Sequence, residues 1–251
     1  LFRTILCVLP SQAWVAAKTG YPVAHMAYGI GPGLSLISRY TGTKTPGGIM
    51  MLDDTAYDNT RGNAEELAKE CLYLCQSLGF EGLCCDFEQP VRRGLEAFVT
   101  ECGGIFSNIS IYVPGRYAQC HSMVKVYIPT AITSGSLSNR LENAVSIYGA
   151  GRLALEIERL SRDIMLPSEN QFGTPLPCDK IRDILSGRGG ASFYSNELCA
   201  HYFTERDNEG RTHFYIYDDA QSFKRKTDLA LSMGIREGFL LYPDAAELGV
   251  F

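Results

Sequence analysis

The chain has 251 residues, 45% of them hydrophobic and 20% charged, enough to bury one substantial core. Its 23 basic and 28 acidic residues leave a net charge of -5, so no broad electropositive surface is available for a phosphate backbone, and nucleic acid is excluded as a main partner. No apolar run approaches the ~18 residues needed to cross a bilayer, and Leu1-Phe2-Arg3 opens without a signal-peptide pattern, so the chain reads as soluble and trimmed.

Short apolar runs at 3–9, 23–30 and 48–52, each ended by turn-forming or acidic residues, predict three strands. From Asn63, the residues Ala64, Leu67, Ala68, Cys71, Leu72, Cys75 and Leu78 recur at helical spacing until Gly79 supplies a stop. A fourth strand is expected over 80–87, then a helix with Leu95, Phe98, Val99 and Cys102 on one side. Strands at 109–113 and 124–128 follow. Ser136 can cap a helix whose stripe is Leu137, Leu141, Ala144, Val145 and Tyr148, with Gly149 beyond its end. Residues 152–160 supply a seventh strand. Residues 167–217 read as an insertion, a Pro- and Gly-rich stretch and then a β-hairpin over 193–217 that turns at Asp207-Asn208-Glu209-Gly210. Ser222 caps a last helix through Met233, and 238–242 form the eighth strand.

Eight strands with helices in most of the gaps, in 251 residues, predict one α/β domain, a (β/α)8 TIM barrel with the β-hairpin insertion before its last helix and strand. The rival, a doubly wound open sheet, would be favoured by a glycine-rich phosphate loop. Gly29-Ile30-Gly31-Pro32-Gly33 has the wrong spacing for one, and Pro32 removes a backbone donor. The 9 cysteines are odd in number and include no C-x-x-C pair, against a zinc cage or a disulfide framework. They read as small buried hydrophobes and lean towards a reducing compartment. His25, His121, His201 and His213 lack ligand spacing, and no cofactor or resident metal is expected.

The segment 80–90 carries the chemistry. A side-chain period of two turns Leu83, Cys85 and Phe87 towards the surrounding helices and Gly82, Cys84, Asp86 and Glu88 towards the barrel axis. Barrel active sites lie at the C-terminal strand ends, where Asp86 and Glu88 stand; a charge pair serving only a buried network is the structural alternative.

Here the sequence resembles the family-18 glycoside hydrolases, the chitinases and the spore-cortex or cell-wall glucosaminidases built on a (β/α)8 barrel. Their fourth strand carries D-G-x-D-x-D-x-E. The matching residues are Glu81, Gly82, Leu83, Cys84, Cys85, Asp86, Phe87 and Glu88, and Asp86-Phe87-Glu88-Gln89-Pro90 is similar to the family's Asp-Trp/Phe-Glu-Tyr-Pro. A second resemblance runs from Tyr217-Asp218-Asp219-Ala220-Gln221-Ser222 through Gly234 to Tyr242, which takes the place of a Trp that floors the sugar site. Two positions depart: Cys84 stands where the family has its middle Asp, and the sixth strand lacks the Tyr-Asp pair, with Tyr127 the nearest candidate for the tyrosine.

The resemblance implies cleavage of glycans that contain β-linked N-acetylglucosamine, such as chitin or peptidoglycan, with Glu88 as general acid. Asp86 comes from the same strand as Glu88 and does not easily reach the opposite face of the sugar. The substrate's own 2-acetamido oxygen would therefore be the nucleophile, oriented by Asp86. A neighbouring anion and partial burial should raise the pKa of Glu88. Cys84 offers a weak donor where the family's Asp shares a proton, so slower turnover or an altered pH dependence is expected.

Asp53, Asp54, Glu156, Glu158 and Trp14 are further candidates for the mouth, with Asp53, Glu156, Trp14 and Tyr242 expected to bind sugar; taken singly, a salt bridge, cap or packed ring explains each as well. Two alternatives stay open: a sugar-binding barrel with impaired catalysis, and a hydrolase that holds a divalent metal through Asp53, Asp86 and Glu88. The glycan, endo or exo action and oligomeric state are not legible. Family members are often exported, whereas the cysteines lean the other way.

Overall fold

Alternation decides where each residue of the first strand goes. In β1 (Arg3–Val8), Ile5 and Cys7 pack on the molecular axis, whereas Leu6 and Val8 join the outer layer. This computed structural model describes residues 1–40, 42, 45, 47–167, 170, 172–187 and 191–251. After β1 come the short helix α1 (Ala13–Ala16), β2 (Val23–Gly31), β3 (Ser35–Ser38), β4 (Ile49–Asp53), α2 (Ala64–Leu78), β5 (Gly82–Asp86) and α3 (Arg93–Ile105). Then follow β6 (Ser110–Pro114), β7 (Lys125–Pro129), α4 (Leu137–Tyr148) and β8 (Leu153–Ile157).

Parallel pairing runs β2-β4-β5-β6-β7-β8, and β1 pairs with β2 through Leu6 and Val23. A last strand, β14 (Glu237–Leu241), closes the ring between β8 and β1, so eight parallel strands form a closed barrel of the (β/α)8 class. Within this sheet, among the described residues, β3 alone lies outside the ring, antiparallel to β2. Its axis is filled by Ile5, Cys7, Ala24, Ile49, Met51, Cys84, Tyr112, Tyr127, Ala154 and Phe239. Outside, α2 and α3 bury Leu67, Cys71, Cys75, Leu95, Phe98 and Cys102 against Leu83, Cys85 and Phe87 of the β5 segment.

Asn63 accepts from the Glu66 amide at the start of α2, Ser136 from that of Asn139 at the start of α4, and Gly79 at φ +76° ends α2. The helical ring is partial. Among the described residues, no helix longer than α1 stands between β1 and β2, between β2 and β4, or between β6 and β7.

Between β8 and the last full helix lie β9 (Ser161–Leu166), β10 (Thr174–Pro175), α5 (Cys178–Gly187), β11 (Phe193–Ser195), β12 (Ala200–Arg206) and β13 (Thr212–Tyr217). The hairpin of β12 and β13 turns at the expected tetrapeptide. It sits inside a five-stranded antiparallel sheet ordered β10-β9-β13-β12-β11, which begins at Ser161, ahead of the proline-rich stretch. One face of this sheet packs Ile164, Ala200 and Ile216 on the barrel's outer layer; the other packs Phe203 and Tyr215 on Ile181 of α5.

The chain returns through α6 (Ala220–Ser232), β14 (Glu237–Leu241) and α7 (Tyr242–Glu247). Asp219, not Ser222, caps α6: its carboxylate accepts from the Ser222 amide at 2.9 Å, and Ser222 is buried within the first turn. Just before it, Asp218 and Lys226 form a buried ion pair at 2.5 Å, and Asp218 also accepts from the Leu160 amide, tying the end of the sheet to its beginning. At the barrel's N-terminal end, Glu237 receives Lys125 at 2.5 Å and Arg3 at 3.3 Å, and Arg3 reaches Glu81 at 3.4 Å. No helix among the described residues is long and apolar enough to cross a membrane.

Candidate active site

At the other end of the barrel the axial side chains are acids. Asp53 ends β4, Asp86 ends β5 in register with it, and Glu156 is the penultimate residue of β8. Room for Asp53 depends on Gly29 of β2, because a Cβ there would stand 3.1 Å from Asp53 Oδ2. Asp53 Oδ1 accepts from the Thr55 amide at 3.0 Å. Next in sequence, Asp54 is 1% exposed and turns across to the loop after β5, where it accepts from the Glu88 amide at 3.0 Å and the Gln89 amide at 3.2 Å. Arg116, in the loop after β6, donates to the Phe87 carbonyl. The backbone that presents Glu88 is therefore fastened from two neighbouring strands.

Asp86 and Glu88 form the wall between two adjoining cavities. The larger, ≈ 470 Å³, is also lined by Arg116, Tyr127, Arg140 and Glu156. The smaller, ≈ 250 Å³, is lined by Met26, Tyr28, Arg39, Met51 and Asp53. Burial, followed by the charges of Glu88, Asp53 and Asp54, pushes the Asp86 carboxyl up to about 6, with Arg116 opposing. Burial and the charge of Asp86 push Glu156 up to about 7, with Arg140 opposing. Glu88 itself is exposed, so the partial burial expected of it falls instead on Asp86 and Glu156. Below the acids, burial holds the thiols of Cys7 and Cys84 well above the usual range, so both are neutral.

Of the residues singled out from the sequence, Asp53, Asp86, Glu88, Tyr127 and Glu156 meet around these cavities. Tyr127 is buried, and its hydroxyl donates to the Cys85 carbonyl at 3.1 Å, which commits it to β5. Two expectations fail. Tyr242 lies one residue past the axial position that Leu241 takes beside Cys7; it faces the outer layer and stacks on Phe251 at 5.6 Å. Trp14 on α1 lies outside both cavities, with Lys18 Nζ 3.6 Å over its ring.

Asp53, Asp86 and Glu88 are not arranged as a metal-holding group; among the described residues no three His, Cys, Asp or Glu side chains are. Three arginines also reach the cavities. Arg39, Arg116 and Arg140 come from three separate connecting segments, and no spacing in the sequence brings them together. His213, given no role from the sequence, bonds Asp163 at 2.8 Å beside a third cavity, ≈ 530 Å³, on the inserted sheet.

No sequence family profile matches the chain, and no curated protein sequence does. The fold, however, is shared with solved structures over nearly the whole chain. The spore cortex-lytic enzyme SleL of Bacillus cereus superposes with a TM-score of 0.69 at 15% identity, over 97% of this chain and 71% of that one. A chitinase from Chromobacterium violaceum gives a TM-score of 0.69 at 13% identity, over 99% and 98%. The C-terminal domain of a putative chitinase from Desulfitobacterium hafniense gives 0.68 at 15%, over 98% and 97%.

Proposed function

We propose that this chain is a divergent family-18 glycosidase that cleaves β-linked N-acetylglucosamine-containing glycans with retention of configuration. The observation that carries this reading is that Asp86 and Glu88, from one strand of a closed barrel, form the wall shared by two cavities at its C-terminal end. A glycan lying across that wall has its scissile bond beside Glu88 and one sugar on either side. Glu88, exposed and with its backbone held by Asp54, donates the proton to the leaving oxygen. Asp86 receives the 2-acetamido group and steadies the positive charge that develops as its oxygen attacks the anomeric carbon. Water then opens the cyclic intermediate from the face the leaving group vacated.

The fold shared with chitinases and a cortex-lytic enzyme supports the glycosidase class. Glu88→Gln should lower hydrolysis of an aryl chitobioside by about 10²–10⁴-fold while oligosaccharide binding stays measurable. NMR of the first product should show the β-anomer.

A second reading, a barrel that binds the glycan with little turnover, is favoured by two local facts: Cys84 is a neutral thiol, and the Tyr127 hydroxyl is already committed to Cys85. Wild-type protein that binds the oligosaccharide yet hydrolyses it no faster than Glu88→Gln would establish this reading in place of the first.

A further inference from the structure

Eight of the described cations of this acidic chain meet a carboxylate. Arg3, Arg159, Arg162 and Arg211 each do so, as do Lys69, Lys125, Lys224 and Lys226. The mouth combines acids with open cations. Four carboxylates converge there, Asp53, Asp86, Glu88 and Glu156, yet among the described residues neither Arg39 nor Arg140 makes a side-chain hydrogen bond or ion pair. Arg140 is near enough to oppose the rise of Glu156 without bonding to it.

Their placement is what distinguishes them, because other exposed cations of the chain also lack a carboxylate partner among the described residues. Arg39 follows β3 and has its amide fixed on the Ala27 carbonyl at 2.7 Å; it lines the smaller cavity. Arg140 lies in the first turn of α4 and lines the larger one. The wall of Asp86 and Glu88 stands between them. A glycan crossing that wall therefore meets one open guanidinium on each side of the bond beside Glu88. A sugar hydroxyl could accept from a guanidinium, but a charged oxyanion accepts in the planar, two-pronged manner the group is shaped for, and such bonds are about twice as strong as neutral ones. An anionic ligand would otherwise be repelled by the acids at this mouth; a cation at each end offsets that repulsion where it arises.

We propose that the glycan taken by this site is anionic, with carboxylate or sulfate groups carried on both sides of the scissile bond, whether or not on the two sugars it joins, one received by Arg39 and the other by Arg140. This rests on reading the mouth as a glycan-cleaving site and adds the chemical class of the substrate to it.

The test uses Glu88→Gln protein, so that ligands persist, and three tetrasaccharides: neutral chitotetraose, an alternating N-acetylglucosamine and N-acetylmuramic acid oligomer that carries lactyl carboxylates, and 6-O-sulfated chitotetraose. Titration calorimetry at low salt should give at least one acidic ligand an affinity about tenfold or more above the neutral one, and the advantage should shrink when added salt screens the charges. Whichever acidic ligand gains identifies carboxylate or sulfate. Adding Arg39→Gln or Arg140→Gln should each reduce the acidic-to-neutral affinity ratio several-fold; because the ratio is taken within one protein, partial misfolding does not imitate the result. Equal affinities for neutral and acidic ligands, or a ratio that survives both substitutions, would overturn the proposal. If wild type also hydrolyses the neutral oligomer, only the anionic preference falls. Failure of all three ligands to bind would remove the glycosidase reading along with it.

Discussion

The two ends of the barrel treat charge in opposite ways. At the N-terminal end Glu237 stands between Lys125 and Arg3, and every charge of the group has an opposite within 3.4 Å. At the C-terminal end Asp53, Asp86 and Glu156 come together with none of them in a salt bridge among the described residues, and burial, reinforced by the neighbouring acids, raises the carboxyls of Asp86 and Glu156 to about 6 and about 7. The fold is the same at both ends. One arrangement favours the folded state; the other holds like charges together at a cost that folding alone would not select, which is how sites that do chemistry differ from sites that hold a structure.

Three substitutions or conditions would break or sharpen this contrast. The largest effect is expected at the acidic end: Asp86→Asn should lower kcat by about 10²–10³-fold, the typical loss when a group stabilising transition-state charge is removed. Its melting temperature should not fall, because the change relieves repulsion among the acids. A large loss of stability without loss of turnover would invert the assignment of the two ends.

At the paired end Glu237→Gln leaves Lys125 and Arg3 without their shared partner, and about 1–3 kcal/mol of stability should be lost in denaturant titration. Turnover per folded molecule should be unchanged, since this group lies at the far end of the strands from the cavities.

The smallest effect concerns pH. Asp86 and Glu156 have folded-state pKa values raised above those of free carboxyls, so the folded chain holds more protons than the unfolded one between about pH 4 and pH 7. Their stabilising contribution is complete below about pH 4 and is lost as pH rises through 6 and 7. The wild-type melting temperature should decline across that window by more than that of Glu156→Gln, a difference of a few degrees by scanning calorimetry. Parallel pH curves for the two proteins would show that Glu156 is not under this strain.

The barrel was legible because its strands are short apolar runs with turn signals between them, and the acids of β5 were legible because a period of two leaves Leu83, Cys85 and Phe87 no place but the helix side. The same rule explains the error at β14. Likeness of position puts Tyr242 at the sugar floor, yet a displacement of one residue exchanges faces, and the axis goes to Leu241. β9 has no local signature because Ser161, Arg162 and Asp163 lack apolar alternation; the strand is set by pairing with β13, which is distant in sequence. Ser222 and Asp219 compete for the same cap, and the chain uses the carboxylate three residues ahead. Arg39 and Arg140 had no local pattern at all, because only closure of the barrel brings the segment after β3 and the start of α4 to one mouth.

Asp54 gives the acidic mouth a mechanical property. It grows from the end of β4 but grips two amides beyond β5, so displacing the loop would break both bonds at once and strip a buried carboxyl of its donors. The main chain of Glu88 is thereby pinned, and what stays adjustable is the rotation of its own side-chain bonds, which exposed residues explore in picoseconds to nanoseconds. A proton donor mounted in this way can aim at a bound ligand without waiting for any segment to close over it.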